Sequence, residues 1–174
     1  MKLGKEYNTR IYYLSNDMKK KLLFVCLGNI CRSPSAEAVM KKYLKLNHLE
    51  SDFLCDSAGT AAYHIGERAD ARMRNHALKR DFQINSIARQ FNPQIDFDKF
   101  DFIIGMDQQN ISDIKKLVRN SDDLKKISAM TDYCTEFINY NYVPDPYYGG
   151  ENGFELVLDI LEDACLGLIN QISR

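Results

Sequence analysis

The chain has 174 residues, enough for one domain with a full hydrophobic core, and its 45% hydrophobic and 27% charged residues are typical of a globular protein. Its 23 Lys and Arg against 24 Asp and Glu leave a formal net charge of -1, so no global field attracts nucleic acid or anionic membranes, and an anion must be bound at a local site. The longest apolar runs, such as Leu22–Leu27, are far below the roughly 20 residues that cross a bilayer.

The beginning of the chain divides into a polar extension and a first strand-loop-helix unit. Residues 1–17 mix charged residues and asparagine with a few tyrosines, and we predict an N-terminal appendage of unassigned role before one domain over residues 18–174. The short apolar run Lys21–Val25 predicts a strand buried on both faces. Ser33–Glu37 predicts a helix N-terminus, because it places a proline in the first turn and a glutamate near the positive end of the helix.

Strand and helix patterns alternate along the rest of the chain. The predicted elements are a strand over Phe53–Ser57, a helix over Glu67–Lys79, a strand over Phe100–Met106, a helix from Asp107 to Val118, a short strand over Ile127–Met130 and a helix over Gly153–Ile172. We expect Asp107 to cap its helix and assign it no chemistry.

The last helix carries an apolar stripe at helical spacing that predicts burial against the core. The residues of the stripe are Phe154, Val157, Leu158, Leu161, Cys165, Leu168, Ile169 and Ile172. Strands that alternate with helices of this length predict right-handed βαβ crossovers and a parallel sheet. In such sheets, functional sites gather outside the carboxyl ends of the strands.

The loop after the first strand, CLGNICRS over residues 26–33, has the composition of an anion-binding loop. Cys26 and Arg32 are six residues apart, and a curl of the five residues between them around the helix N-terminus would make their backbone N–H groups converge. Gly28 and Asn29 tolerate the positive φ that this curl needs. The planar guanidinium of Arg32 can bind two oxygens of a tetrahedral oxyanion. The loop is therefore predicted to bind phosphate.

Cys26 is the candidate nucleophile of this loop. A helix N-terminus and a nearby arginine stabilise a thiolate, and the hydroxyl group of Ser33 can donate to its sulfur. The alternative interpretation is a buried cysteine at a strand end with a surface arginine, because Cys-x5-Arg spacing is common by chance. The strand, the Gly-Asn turn, the serine and the helix-starting proline agree with one another and favour the anion-binding loop.

A candidate proton donor lies in the segment Val143–Gly150. A leaving oxygen departs more easily when a proton is supplied, and the prolines on both sides of Asp145 would limit the entropy of placing its carboxyl group. Proline, aspartate and glycine are also the usual residues of a surface turn. By composition alone, the turn is the favoured interpretation.

The segment Val25–Glu37 resembles the signature of the low-molecular-weight protein tyrosine phosphatases, and the similarity extends from Leu22 to the C-terminus. The resemblance implies a single-domain α/β three-layer sandwich with a four-stranded parallel sheet flanked by helices on both faces. It implies Cys26 as nucleophile, Arg32 as phosphate clamp, and no metal or cofactor. The implied activity is hydrolysis of protein phosphotyrosine and small aryl phosphates through a cysteinyl-phosphate intermediate.

The same resemblance assigns further site residues. It implies that Asp145, in a segment similar to the Asp-Pro-Tyr-Tyr signature of the family, acts first as general acid and then as the base that activates water. Ser33 completes the predicted catalytic set. The predicted substrate-binding residues are the remaining loop residues and three tyrosines that form walls of the site, namely Leu27, Gly28, Asn29, Ile30, Cys31, Tyr63, Tyr147 and Tyr148.

Supporting roles also follow from the resemblance. Ser57 is expected to help hold Asn29 in a strained conformation, and Ser86 occupies the position where the family often has a histidine. Cys31 is implied to shelter Cys26 from irreversible oxidation by forming a disulfide with it. Cys31 is equally interpreted as a small apolar side chain beneath the loop, and both roles are compatible.

Four other functions compete with this one. An arsenate reductase of the same fold needs further cysteines, and residues 104–114 contain none. Protein arginine phosphatases of the family tend to carry threonine where this loop has Ile30, so the apolar residue favours an aryl substrate. A noncatalytic phosphate-binding module needs no acid on a rigid loop, and a thiol-redox module favours Cys-x-x-Cys over the Cys-x4-Cys spacing of this loop.

Composition also bears on compartment and partners. Five cysteines without framework-like spacing, together with the lack of an apolar secretory core in residues 1–21, predict a cytoplasmic protein. The three histidines, at positions 48, 64 and 76, have no spacing that would gather a metal site. The expected partners are tyrosine-phosphorylated proteins or aryl phosphates, with inorganic phosphate as product and inhibitor. We expect no nucleic-acid or membrane partner, and a monomer or weak dimer.

Overall fold

Four parallel strands form the central sheet, in the order β2-β1-β3-β4. The computed structural model describes residues 19–148 and 150–173, except for the side chains of Tyr148 and Glu151. The predicted appendage over residues 1–17 therefore lies outside the described residues. The strands are β1 (Lys20–Cys26), β2 (Phe53–Gly59), β3 (Phe102–Gly105) and β4 (Ile127–Ala129). The predicted four-stranded parallel sheet is confirmed.

Helices connect the strands and cover the sheet. Those of the described residues are α1 (Arg32–Leu46), α2 (Ala71–Lys79), α3 (Pro93–Lys99), α4 (Gln108–Lys115), α5 (Ser121–Lys125) and α6 (Gly150–Ile172). Short 3-10 helices span Met130–Tyr133 and Pro146–Tyr148. Among the described helices, none combines the length and the apolar character that a membrane span requires.

The side chains of β1 alternate between two hydrophobic cores, one on each face of the sheet. Leu22 and Phe24 belong to the larger core with residues of α1, α2 and α6, while Leu23 and Val25 belong to the smaller core with residues of α3 and α4. All eight stripe residues predicted on the last helix are buried. Helices thus cover both faces, and the predicted three-layer α/β sandwich is confirmed.

The helix predicted over Glu67–Lys79 begins only at Ala71, so the predicted start is wrong. The preceding residues adopt an extended path instead, in which Arg68 pairs with Ile87 in an antiparallel bridge. Asp70 is the N-cap of α2, and its carboxylate accepts a hydrogen bond from the second residue of the helix at 2.8 Å. The long-range bridge and the cap together set the helix start four residues later than the apolar pattern does.

Candidate active site

The loop between β1 and α1 lies at the carboxyl edge of the sheet, where it is anchored through its carbonyl groups. The anchoring bonds run from Thr60 N to Cys26 O at 2.9 Å, from Ala61 N to Leu27 O at 2.9 Å and from Asp70 N to Ile30 O at 2.8 Å. Among the described residues, no side-chain hydrogen bond caps α1, which begins at Arg32 after the N-cap Cys31. The first-turn N–H groups of α1 are therefore left to an anion, which the helix dipole also favours.

Two glycines permit close packing around this loop. At Gly59, the last residue of β2, a Cβ atom would lie 2.7 Å from the carbonyl oxygen of Leu27. At Gly28, a Cβ atom would lie 3.0 Å from Cδ2 of His64. The imidazole is held in place by Glu67, whose Oε2 lies 2.8 Å from Nδ1 of His64. Sequence reasoning missed His64 as a site residue, since a single histidine in a loop carries no spacing signal.

Asn29 adopts the left-handed conformation, with φ of 56°. Its side chain is 2% exposed and is fixed at both ends, because Oδ1 accepts from Arg89 N at 3.0 Å and Nδ2 donates to Ser33 Oγ at 2.9 Å. Ser57 does not hold Asn29 as expected. Its hydroxyl group donates instead to Oε2 of buried Glu37 at 2.6 Å. The backbone of a distant segment thus supplies the support that was expected from a serine side chain.

The sulfur of Cys26, the last residue of β1, has two hydrogen-bond partners. Ser33 Oγ lies 3.0 Å from Cys26 Sγ, and Asn29 N donates to the same sulfur at 3.3 Å. Ser33 Oγ accepts a hydrogen bond from the side-chain amide of Asn29. Its single hydroxyl hydrogen is therefore left for Cys26 or for the carbonyl oxygen of Ala58, which lies at 3.3 Å. Donors that point at a sulfur stabilise its negatively charged form.

Arg32 is 4% exposed and bound through both terminal nitrogens. Nη1 donates to Asp107 Oδ2 at 2.5 Å and to Val143 O at 3.3 Å, while Nη2 donates to Asp145 Oδ2 at 3.0 Å. Burial acts to lower the pKa of Arg32, but the Cys26 sulfur and the two carboxylates outweigh it and raise the pKa above its ordinary value. The guanidinium is therefore a fixed, permanently charged group at the site.

Asp107 has a second role besides capping. Its Oδ1 accepts from Asn110 N at 2.7 Å, as expected for the N-cap of α4, while its Oδ2 binds Arg32. The signal available in the sequence was its position directly after the third strand, because the carboxyl ends of neighbouring parallel strands meet at one edge. Asp107 thus orients the guanidinium from the next crossover of the sheet.

Three of the four predicted catalytic residues, Cys26, Arg32 and Asp145, line a cavity of about 290 Å³, while Ser33 is fully buried outside its lining. Its lining residues are Cys26, Leu27, Gly28, Ile30, Cys31, Arg32, Tyr63, His64, Asp145 and Tyr147. The Asp145 side chain is 43% exposed, and its Oδ1 accepts from Tyr147 N at 3.0 Å. Among the described residues, no three His, Cys, Asp or Glu side chains gather as ligands for a metal.

Three predicted binding residues differ from the rest in their placement. Asn29 and its hydrogen bonds lie beneath the cavity and not in its lining. Tyr63 lines the cavity but is 76% exposed. The side chain of Tyr148 lies outside the described part of the chain. Tyr63 and Tyr147 are therefore the tyrosines found in the lining of the cavity among the described side chains.

The five cysteines are all free thiols. Burial raises the pKa of Cys55 and of Cys134 to about 12. Burial is also the largest cause of the raised pKa values of Cys31 and Cys165, and at Cys31 the carboxylate of Asp70 adds to the effect. Cys31 therefore stays protonated at neutral pH although it lies in the same loop as the candidate nucleophile.

The segment that leads to Asp145 is fixed to α6 by a buried carboxylate. Asp163, which is 8% exposed, accepts hydrogen bonds from the backbone N–H groups of Thr135, Glu136 and Phe137 at 2.9–3.1 Å and from the Thr135 hydroxyl at 2.7 Å. At the other end of the segment, Val143 N donates to the carbonyl of Met106 at 2.8 Å. These contacts place the Asp145 loop relative to the sheet.

Asp163→Asn should lower the free energy of unfolding by roughly 2–4 kcal/mol, since it removes the charge and turns an amide toward N–H donors. Burial alone would raise the pKa of Asp163, but the donors at Phe137, Thr135 and Glu136 hold that pKa below its ordinary value. The carboxylate thus stabilises the fold fully above the unfolded pKa of about 3.9, and the contribution is lost as pH falls through the lower folded pKa.

Urea unfolding at pH 7 and below pH 4 measures this effect. The difference between wild type and Asp163→Asn should be largest at pH 7 and shrink in acid. The matched control is Asp159→Asn on the same helix, whose side chain is 45% exposed and binds Arg80, and it should cost less than about 1 kcal/mol. Equal losses in the two variants would contradict the assignment.

Comparison with known proteins gives a consistent result. A model of the low molecular weight phosphotyrosine protein phosphatases matches residues 21–174. The chain is 46% identical over 154 residues to a Synechocystis protein of the low molecular weight protein-tyrosine-phosphatase type, with 88% of this chain and 97% of that protein covered. It is 39% identical over 153 residues to the low molecular weight phosphotyrosine protein phosphatase of Gallus gallus, with 87% and 95% covered.

Solved structures resemble the chain over a similar extent. The crystal structure of a protein tyrosine phosphatase from Entamoeba histolytica, with Hepes in the active site, has a TM-score of 0.85 and 50% identity, covering 89% of this chain and 97% of that one. A Drosophila arginine phosphatase has a TM-score of 0.81 and 28% identity, covering 89% and 98%.

Proposed function

The chain belongs to the low molecular weight phosphotyrosine protein phosphatase family and is a protein tyrosine phosphatase. On this basis we propose that it hydrolyses protein phosphotyrosine and small aryl phosphates through a phosphorylated Cys26. The observation that carries the proposal is the meeting of Cys26, Arg32 and Asp145 at one cavity, beside the N-terminus of α1, whose N-cap residue Cys31 makes no side-chain capping bond. Nucleophile, anion-binding groups and proton donor are thus within reach of one substrate.

The phosphate group is bound by the loop and by Arg32. The first-turn N–H groups of α1 and a buried, permanently charged guanidinium supply positive charge locally, in a chain whose net charge is -1. The Hepes molecule in the active site of the Entamoeba relative carries a sulfonate, which is also a tetrahedral oxyanion. This supports the assignment of the loop to phosphate.

The first chemical step transfers the phosphoryl group to sulfur. The Cys26 thiolate attacks phosphorus, and an S–P bond forms as the P–O bond to the aryl group breaks. Asp145 donates its proton to the departing aryl oxygen, so that an alcohol leaves and not an aryloxide. The Ser33 hydroxyl group, 3.0 Å from the sulfur, stabilises the thiolate before attack.

The second step releases phosphate and restores the enzyme. Asp145, now a carboxylate, takes a proton from water while the water oxygen attacks phosphorus. The S–P bond breaks and its electron pair returns to sulfur, where the Ser33 O–H and the Asn29 N–H again stabilise the charge. Inorganic phosphate is the product, and it competes for the same loop as an inhibitor.

The ion pair between Arg32 and Asp145 has a part in this cycle. Phosphate in the loop competes with Asp145 Oδ2 for Nη2 of Arg32, which the structure places at 3.0 Å. Nη1 keeps its bond to Asp107 during that exchange, so the guanidinium can turn from the acid to the substrate without losing its position. Once released from Arg32, the Asp145 carboxylate takes up a proton from solvent and then donates that proton to the leaving oxygen.

The lining of the cavity supports an aryl substrate. Tyr63 and Tyr147 bring two aromatic rings to the lining of the cavity, and Ile30 adds an apolar branched side chain. The competing activity is that of an arginine phosphatase, as the 28% identical Drosophila protein is named. Phosphoarginine would place a charged guanidinium against Ile30, which offers it no hydrogen bond.

A comparison of substrates tests the proposal directly. We expect kcat/KM for phosphotyrosine to exceed that for phosphoarginine by at least about tenfold, the discrimination that one mismatched pocket contact provides, with no reduction of arsenate. A preference for phosphoarginine would assign the chain to the competing activity. Phosphate binding without turnover of any of the three would indicate a binding module.

A further inference from the structure

Arg72, near the start of α2, contacts the ring of Tyr147, one of the aromatic residues that line the cavity. Its guanidinium carbon lies 5.1 Å from the ring centre of Tyr147 and 5.2 Å from that of Phe154. Phe154 on α6 is 2% exposed and is further fixed by His76, whose ring stacks on it at 5.3 Å. Arg72 therefore contacts both the partly exposed ring of Tyr147 and the buried ring of Phe154, which belongs to the core.

Asp70 holds Arg72 in this position. The Asp70 carboxylate accepts from Nε of Arg72 at 3.1 Å and from Nη2 at 2.8 Å, which is the two-point geometry that fixes the plane of a guanidinium. The backbone N–H group of Asp70 donates to the carbonyl of Ile30 at 2.8 Å. One residue thus ties the phosphate-binding loop to the side chain that contacts the aryl wall.

We propose that Arg72 is a positioning residue that holds the Tyr147 ring as the preformed wall for the aryl group of the substrate. The proposal rests on the proposed function, because it assigns the specificity of the same site. Tyr147 is 45% exposed, and an exposed ring must lose rotational freedom when it packs against a substrate. Contact with the Arg72 guanidinium restricts the ring beforehand, so that less entropy is lost on binding.

This role separates binding of the aryl group from binding of phosphate. Arg72 acts on the Tyr147 ring, whereas phosphate is bound by the loop amides and Arg32. Loss of the Arg72 guanidinium should therefore weaken the binding of aryl phosphates. Inorganic phosphate has no ring, so its binding should not change. General damage to the site would weaken both.

Arg72→Met keeps the length of the side chain and removes its charge. We expect KM for phosphotyrosine to rise about two- to fivefold with kcat changed less than twofold, the size of a partly exposed cation–π contact, and the inhibition constant of inorganic phosphate to stay unchanged. Arg72→Lys keeps the charge but not the two-point contact with Asp70, and its KM should lie between that of wild type and that of Arg72→Met. Lys79→Met is the matched control on α2, since it removes one charge from an exposed side chain, and it should leave KM unchanged.

A second background shows whether Arg72 acts through Tyr147. In a Tyr147→Ala variant, adding Arg72→Met should raise KM no further. A further rise in that background would overturn the proposal, as would an unchanged KM in Arg72→Met or a parallel weakening of inorganic phosphate. If the proposed catalytic function is wrong, the wild-type protein itself will show no turnover of phosphotyrosine. That outcome is distinct from the results above, because calorimetry measures phosphate binding without turnover.

Discussion

Cys26→Ser should lower the turnover of phosphotyrosine by roughly 10⁴-fold or more, the loss expected when a covalent nucleophile is removed. A serine hydroxyl at this position is a far weaker nucleophile than the thiolate. The fold should be unaffected, since the side chains differ by one atom and Cys26 is buried at the end of a core strand. The rate on p-nitrophenyl phosphate measures the loss.

Anion binding should survive the same substitution. The loop amides and Arg32 are unchanged in Cys26→Ser, so calorimetry should find inorganic phosphate bound with an affinity near that of wild type. Cys134→Ser is the matched control, because its thiol lies outside the lining of the cavity, and it should keep full activity. Turnover by Cys26→Ser within tenfold of wild type would refute the covalent mechanism.

Asp145→Asn should slow hydrolysis by about 10²- to 10³-fold for phenyl phosphate, whose leaving oxygen is strongly basic. The loss should be roughly tenfold smaller for p-nitrophenyl phosphate, whose oxygen leaves readily without a proton. The asparagine keeps a carbonyl oxygen that can accept from Tyr147 N, so the loop geometry is preserved. Plotting log kcat against the basicity of the leaving group gives the comparison.

A second measurement on Asp145→Asn, the affinity for inorganic phosphate, tests the role of the ion pair between Asp145 and Arg32. Asp145→Asn removes the carboxylate that competes for Nη2 of Arg32, so inorganic phosphate should bind at least as tightly as it does in wild type. Asp113→Asn, at a half-buried carboxylate of α4 outside the cavity lining, serves as control and should change neither rate nor affinity. An equal rate loss for both leaving groups would argue against proton donation by Asp145.

Patterns that are local in the sequence predicted most of the fold. The run Lys21–Val25 lies within β1 because an uninterrupted apolar stretch suits a strand covered on both faces. All eight residues of the predicted stripe on α6 are buried, although the buried part of the helix also includes Ile160, Asp163 and Ala164. Two short helices, α3 and α5, were missed since seven and five residues are too few to show an apolar period, although each follows an asparagine cap.

The site was predictable to the extent that its residues are consecutive. The spacing of residues from Cys26 to Ser33 was enough to predict a curled anion-binding loop. The hydrogen-bond partners of the loop side chains come from distant segments. The support of Asn29 by the backbone of Arg89 spans 60 residues, and the contact of Arg32 with Asp107 spans 75. Such contacts depend on the register of the sheet and on loop paths, which no local pattern encodes.

The hydrogen-bonding groups around the Cys26 sulfur, and not its exposure, set it apart from the other four thiols, so alkylation can count the active sites. Electrophiles such as iodoacetamide react with thiolates, and burial keeps Cys31, Cys55, Cys134 and Cys165 protonated at neutral pH. Brief alkylation of the native enzyme should then add a single label, at Cys26, so that label incorporation reports the molar concentration of competent molecules. Appearance of a second label would mark the fraction of a preparation that has lost its packing.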